Sequence, residues 1–228
     1  MIVLVAILSI IMIASGCGSG GGSGRYTIPP EIPTPGTGGG TGGGGTGETD
    51  IASLILSGWE DFKYGAYSSA INKFNQAITS TGISDTDRIK AYNGLGWALT
   101  KSSGSASSLN AFTQAATGSI RDSDEAKIGL AAAHIQIGTG TSYSTALTIL
   151  EGMGLSNNAT TFSTSPDRPI DITNAEAHAM LAWCYYWVGN VDEAVRKINF
   201  ARSTESSTDT SVGQIFTALK TLDPNKFK

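Results

Sequence analysis

The sequence is poor in the side chains from which most active sites and metal sites are built. It holds two histidines and two cysteines in 228 residues, and charged residues make up only 15% of the chain. It contains no P-loop, no G-x-S-x-G and no H-E-x-x-H motif. The histidines and Cys184 do not form a recognisable metal-binding spacing. We therefore expect a protein that is not an enzyme and that uses no metal and no cofactor.

The three residues that could carry chemistry stand in apolar surroundings. His134 and His178 occupy positions of large packing residues in the repeat pattern described below, and Cys184 lies between Trp183 and Tyr185. A free cysteine in such a segment behaves as a small apolar residue, and its thiol is inert when buried. We expect all three side chains to have packing roles.

Positive charge is scarce as well. The chain has 15 Lys and Arg residues against 19 Asp and Glu residues, which gives a net charge of −4. Binding to nucleic acid requires a basic stripe that neutralises phosphates. We therefore expect no nucleic-acid partner. The low charge, together with abundant Ser, Thr and Gly, favours an extracytoplasmic protein.

The sequence also lacks an apolar run long enough to cross a membrane. Residues 2–14 are apolar apart from one serine, which is shorter than the roughly 20 residues of a spanning helix and typical of a signal peptide. The run ends in Ala-Ser-Gly-Cys at 14–17, which resembles the bacterial lipobox. That resemblance implies a lipoprotein signal peptide over 1–16 and lipid attachment at Cys17. A plain secretory signal and an uncleaved anchor remain alternatives.

Residues 17–50 are rich in Gly, Ser and Pro and carry almost no aromatic side chain. Such a composition is typical of a flexible tether, with a reach on the order of 30 Å. We expect it to hold a folded domain away from the membrane to which Cys17 is anchored. The location would be the cell envelope, on its extracytoplasmic side. Because Gly18 follows the cysteine, the sorting rule of enteric lipoproteins favours the outer membrane in a Gram-negative cell.

The folded part is organised around residues 175–201, which read as two amphipathic helices joined by a tight turn at Val188-Gly189-Asn190. Small and large residues alternate there in an order that recurs three times upstream. The small residue of the first helix is found at Gly58, Gly96, Ala131 and Ala182. This order resembles the tetratricopeptide repeat, W-x2-L-G-x2-Y followed by A-x3-F in about 34 residues.

The resemblance implies an all-α fold, an α-solenoid of about four antiparallel helix-turn-helix repeats with a C-terminal capping helix. The domain would cover 51–222, with repeats at about 51–84, 89–122, 124–156 and 173–204 and the capping helix at 212–222. Each pair would bury its apolar stripe against its neighbours. The long loop at 154–171 interrupts the series, and the sequence leaves open whether it is an interaction loop or a plain surface insertion.

Tryptophan follows the small residue in three of the four repeats. In the family this position faces the concave groove, where ligands bind, and the residue one helical turn later shares that face. The resemblance therefore implies a partner-binding groove lined by Trp59, Lys63, Trp97, Lys101, Trp183 and Trp187. The alternative is that the rings pack on the neighbouring helix and thicken the core.

These features predict a membrane-anchored scaffold that binds a protein or peptide partner in an aromatic groove. The resemblance implies work in cell-envelope assembly, such as the outer-membrane protein, pilus or peptidoglycan machinery. An alternative is a glycan-binding surface lipoprotein, because tryptophan rings also stack on sugars. A third possibility is a structural protein whose groove binds nothing. Fold alone does not decide among them.

Overall fold

The computed structural model describes residues 50–170, 172–204 and 210–228. Within these ranges the chain forms no strand and nine α-helices: α1 (Ile51–Lys63), α2 (Tyr67–Thr79), α3 (Asp85–Ser103), α4 (Ser105–Ala115), α5 (Arg121–Ile137), α6 (Gly140–Gly152), α7 (Asn174–Trp187), α8 (Val191–Thr204) and α9 (Thr210–Leu222). The predicted all-α class is confirmed. The predicted signal peptide, the lipid attachment at Cys17 and the tether up to residue 49 lie outside the described residues. No helix of the described part is both long enough and apolar enough to span a bilayer.

Side-chain caps set the starts of several helices. The Asp50 carboxylate accepts a hydrogen bond from the Ala52 backbone N–H at 3.1 Å before α1. Before α7, Thr173 and Glu176 form a reciprocal capping box. Ser84 caps α3, so this helix begins at Asp85, four residues before the start of the predicted repeat at 89.

A glycine with positive φ lies in the turn of each of the four helix pairs, at Gly65, Gly104, Gly138 and Gly189. Gly65, between α1 and α2, has φ of 77°, and Gly189, between α7 and α8, has φ of 90°. Residues with a side chain rarely adopt this left-handed region. Tight antiparallel pairs therefore form at both places, and the second turn is the one predicted at Val188-Gly189-Asn190.

The helices pack in sequence order, each one contacting the next. In addition, α1, α3, α5 and α7 contact one another in a row, which we call the first-helix row, and α9 covers α7 and α8. Phe74 of α2 lies between Gly58 of α1 and Gly94 of α3. A Cβ atom at Gly94 would stand 2.3 Å from the ring, so only glycine permits this approach. Phe112 repeats the arrangement one pair later.

Candidate functional site

The tryptophans predicted to line an open groove are largely buried. Trp59, Trp97 and Trp183 are 6%, 3% and 2% exposed, and Trp187 is half-buried. Three of these rings therefore lie in the core, which is one of the two alternatives that the sequence left open. Trp59 packs edge-on against Phe74 with ring centroids 5.6 Å apart, and Phe74 fills the space beside Gly58 and Gly94. Their role in binding a partner stays a prediction.

The six predicted groove residues separate into three groups. Trp59 and the exposed Lys63 line one cavity at α1. Trp183 and Trp187 lie in edge-to-face contact at 5.9 Å in α7. Trp97 and the half-buried Lys101 lie between them in α3. The structure does not bring these residues together in one continuous aromatic stripe.

The long loop after α6, whose role the sequence left open, crosses the molecule. Residues 154–170, which we call the cross-loop, contact α8, α7, α5 and α1 in that order along the chain. At its start, the wholly buried ammonium of Lys197 donates hydrogen bonds to Leu155 O, Ser156 O and Asn158 Oδ1, each at 2.7 Å. Three neutral oxygens thus satisfy all three donors of this lysine. Burial lowers the pKa of Lys197.

The middle of the cross-loop is attached to α7. The imidazole of the fully buried His178 is 3.3 Å from the carbonyl of Thr160 through Nε2. The Asn174 side chain accepts a hydrogen bond from the Phe162 backbone N–H at 2.8 Å. Burial lowers the pKa of His178, and the ring Nδ1 has no partner within the described residues. A neutral ring with its proton on Nε2 therefore donates to Thr160.

The end of the cross-loop carries a buried ionic network. Arg168 Nη1 donates to Glu125 Oε2 at 2.7 Å and also forms an ion pair with Asp122. Glu125 is wholly buried and accepts two further hydrogen bonds, from Asn93 Nδ2 at 2.9 Å and from the Ser165 backbone N–H at 2.5 Å. A buried carboxylate needs such a complete set of partners, because losing one leaves an uncompensated charge.

The same guanidinium covers the indole of α1. The Arg168 Cζ atom lies 5.0 Å from the centroid of the Trp59 ring, within the range of a cation–π contact. One side chain of the cross-loop therefore connects α5 to α1 across α3. Trp97 supports the network from α3, since its indole N–H donates to Asn93 Oδ1 at 3.0 Å.

A cavity of about 490 Å³ lies where α1, the start of α3 and the cross-loop meet. This volume is in the range of small-ligand and peptide side-chain pockets. Its apolar wall includes Ile55 and Trp59, and its rim carries Leu56 and Tyr64, which are 70% and 76% exposed. The charged lining is balanced, with three cations and three acids: Lys63, Lys90, Arg168, Glu60, Asp87 and Asp167.

The chemistry available elsewhere is limited. Cys184 is fully buried, and burial raises the pKa of its thiol well above the ordinary value, so it stays protonated. Across the described ranges no group of three His, Cys, Asp or Glu side chains is arranged to hold a metal ion.

No protein-family model matches the chain, and no curated protein matches it in sequence. The class that the structure defines is an all-helical protein with a partly apolar cavity at its first helix. The sequence did not reveal Arg168 as a site residue, although it is the one Lys or Arg in 154–171. A lone cation in a long loop that is otherwise mostly uncharged was the available signal.

Proposed function

We propose that this protein is a membrane-anchored scaffold whose α1 cavity binds an extended segment of a partner protein or peptide. The observation that carries the proposal is the exposed pair Leu56 and Tyr64 at the rim of a partly apolar cavity. Large apolar side chains that stay exposed beside a concave site are typical of recognition surfaces.

The four helix pairs are proposed to form a solenoid of the tetratricopeptide type. Contacts along the first-helix row support this, as does the insertion of one aromatic ring from each of the first two pairs between glycines of adjacent helices. In such an architecture each pair buries its apolar stripe against its neighbours. Helix α9 would then act as the C-terminal cap, because it contacts both helices of the last pair.

The cavity favours a particular partner chemistry. Ile55, Leu56 and Tyr64 offer contacts to a large apolar side chain. Lys63 is exposed and has no ion pair within the described residues, so an acidic group of the partner can reach it. Since the lining carries equal numbers of cations and acids, a highly charged polyanion is a poorer fit than a mixed peptide.

The glycan-binding alternative receives less support from the geometry. Stacking on a sugar requires an open ring face, and the rings of Trp59, Trp97 and Trp183 are at most 6% exposed. Trp187, the remaining tryptophan, has Tyr143 stacked on it at 5.3 Å. A peptide partner needs only the rim residues and is therefore preferred.

We propose that the anchor is a lipidated Cys17 and that the protein works in cell-envelope assembly, at the outer membrane if the cell is Gram-negative. Mass spectrometry of the mature protein should show acylation of an N-terminal Cys17. The substitution Cys17→Ser should release the protein from membranes. A mature chain that begins at another residue would contradict the anchor.

Crosslinked pull-down from membranes with the full chain tests the binding proposal. Leu56→Asp should remove the partner, because it places a charge on the cavity rim. Leu222→Asp is the matched control, since Leu222 is a 40% exposed leucine on α9, at the other end of the chain. Recovery of the same proteins with Leu56→Asp as with the unaltered chain would contradict the proposal.

A further inference from the structure

One guanidinium group links three parts of the molecule. Arg168 belongs to the cross-loop, pairs with Asp122 and Glu125 on α5, and covers Trp59 on α1. Its side chain is 12% exposed and forms part of the cavity lining. It is therefore in contact with both the buried network and the proposed binding site.

The cross-loop forms one wall of the cavity. Ser165, Asp167 and Arg168 line it, and the lining residues opposite them come from α1 and the start of α3. Glu125 holds this wall at two points, through the Ser165 backbone N–H and through the Arg168 guanidinium. Glu125 is wholly buried, so water does not screen this attachment. Ion pairs on the protein surface are screened by water and contribute less.

We infer that Arg168 is a positioning residue for the cavity: its contact with Asp122 and Glu125 fixes residues 165–168 as a preformed wall. Binding in the cavity is then coupled to the fixed position of this segment. This inference rests on the proposed function of the cavity as a binding site. A wall that is fixed beforehand spares a ligand the entropy cost of ordering it, so its loss weakens binding.

The cross-loop provides its own matched control. Lys197 is a second buried cation that attaches the same loop, but it holds residues 155–158 and does not line the cavity. Lys197→Met leaves three loop oxygens without their donor and should loosen the start of the loop. Arg168→Gln should loosen its end. Only the second change alters the wall of the cavity.

The test uses the full chain labelled with 5-fluorotryptophan and observed by ¹⁹F NMR, with the four resonances assigned by Trp→Phe variants. The probe is N-acetylleucine amide, an apolar residue with a capped backbone. We expect the probe to shift the Trp59 resonance of the unaltered protein. Arg168→Gln should weaken the apparent affinity about fivefold or more, which is the lower range of typical coupling between linked equilibria. Lys197→Met should leave it within about twofold.

Equal affinity of Arg168→Gln and the unaltered protein would overturn the positioning role. An equal loss in Lys197→Met would overturn it too, because the effect would then follow general loosening of the loop. If Arg168→Gln does not fold, Arg168→Lys is tested in its place. The lysine ammonium keeps the charge but lacks the planar fork of the guanidinium, so it should still weaken binding. Unchanged affinity of Arg168→Lys would also overturn the positioning role. A Trp59 resonance of the unaltered protein that does not respond to the probe contradicts the proposed binding site itself, so the two failures are distinct.

Discussion

Helices α1 and α7 both hold a buried tryptophan, Trp59 and Trp183, but surround it differently. Helix α1 buries four of its 13 residues, and α7 buries ten of its 14. Trp59 is covered by a charged side chain that arrives from the cross-loop, and a cavity remains beside it. Trp183 is covered by Trp187, whose ring stacks on Tyr143 with an interplanar angle of 9°.

The difference indicates that the side chain packed on each tryptophan, and not the tryptophan itself, decides whether a cavity remains beside it. Aromatic rings pack against one another and leave little space, as they do around Trp183. A guanidinium must also reach its carboxylates, so Arg168 covers Trp59 from one side only. The α1 end therefore keeps an accessible cavity, and the space around Trp183 at the α7 end is closed.

Truncating the two rings should give the largest effects and should separate the two ends. Trp183→Ala should lower the free energy of unfolding by about 4–5 kcal/mol, because it empties a closed aromatic cluster. Trp59→Ala should cost about 3 kcal/mol, since its site already borders open space. Urea unfolding of both variants measures the difference. A larger loss for Trp59→Ala would reverse the proposed contrast.

Neutralising one carboxylate at each end should give the next largest effect. Glu125→Gln should cost about 3 kcal/mol, because it leaves Arg168 with an incomplete set of partners in a buried site. Glu151→Gln should cost about 1 kcal/mol or less, since the Glu151 side chain is exposed and keeps an oxygen for its hydrogen bond from Tyr185. Equal losses in urea unfolding would mean that the Glu125 network adds no stability of its own.

The features that could be predicted from the sequence are those that depend on residues close together in the chain. The helices and the turn at Gly189 follow from local patterns, and the sequence predicted them. The hydrogen bond from Arg168 to Glu125 joins residues 43 positions apart and follows no helical period, so no sequence pattern predicts it. Whether Trp59 faces a groove or the core could not be decided from the sequence for a related reason. The direction of its ring depends on Phe74 of the next helix and on Arg168 of a distant loop.

A smaller, pH-dependent effect should arise at the α7 end. Burial lowers the pKa of His178, so the unfolded chain binds a proton more readily than the folded one. Stability should therefore fall as the pH drops through about 6.5, the ordinary histidine value, towards the lower folded value. Urea unfolding at pH 7.5 and 5.5 should show this loss.

His178→Gln should flatten that slope. His134→Gln should flatten it less, because His134 is only half-buried even though burial lowers its pKa as well. A slope that His178→Gln leaves unchanged would show that other groups cause the loss.

The smallest effects on stability are expected at the rim of the cavity. Leu56→Ser and Tyr64→Ser should change the free energy of unfolding by no more than about 0.5 kcal/mol, because both side chains are largely exposed. Both should still reduce recovery of a crosslinked partner. A loss of several kcal/mol would indicate that these residues support the fold, and they would then be unsuitable as evidence for a binding site.

Site-specific photocrosslinking at the two ends tests the central claim most directly. Tyr64 and Val188 both follow the last residue of a first helix, α1 and α7, and both are exposed. A photoreactive phenylalanine derivative at each position, in the full chain in living cells, compares the two ends under the same conditions. We expect a discrete crosslinked partner from position 64 that disappears with Leu56→Asp, and none from position 188. Equal crosslinking at both positions, or crosslinking at 188 alone, would contradict a binding site at the α1 cavity.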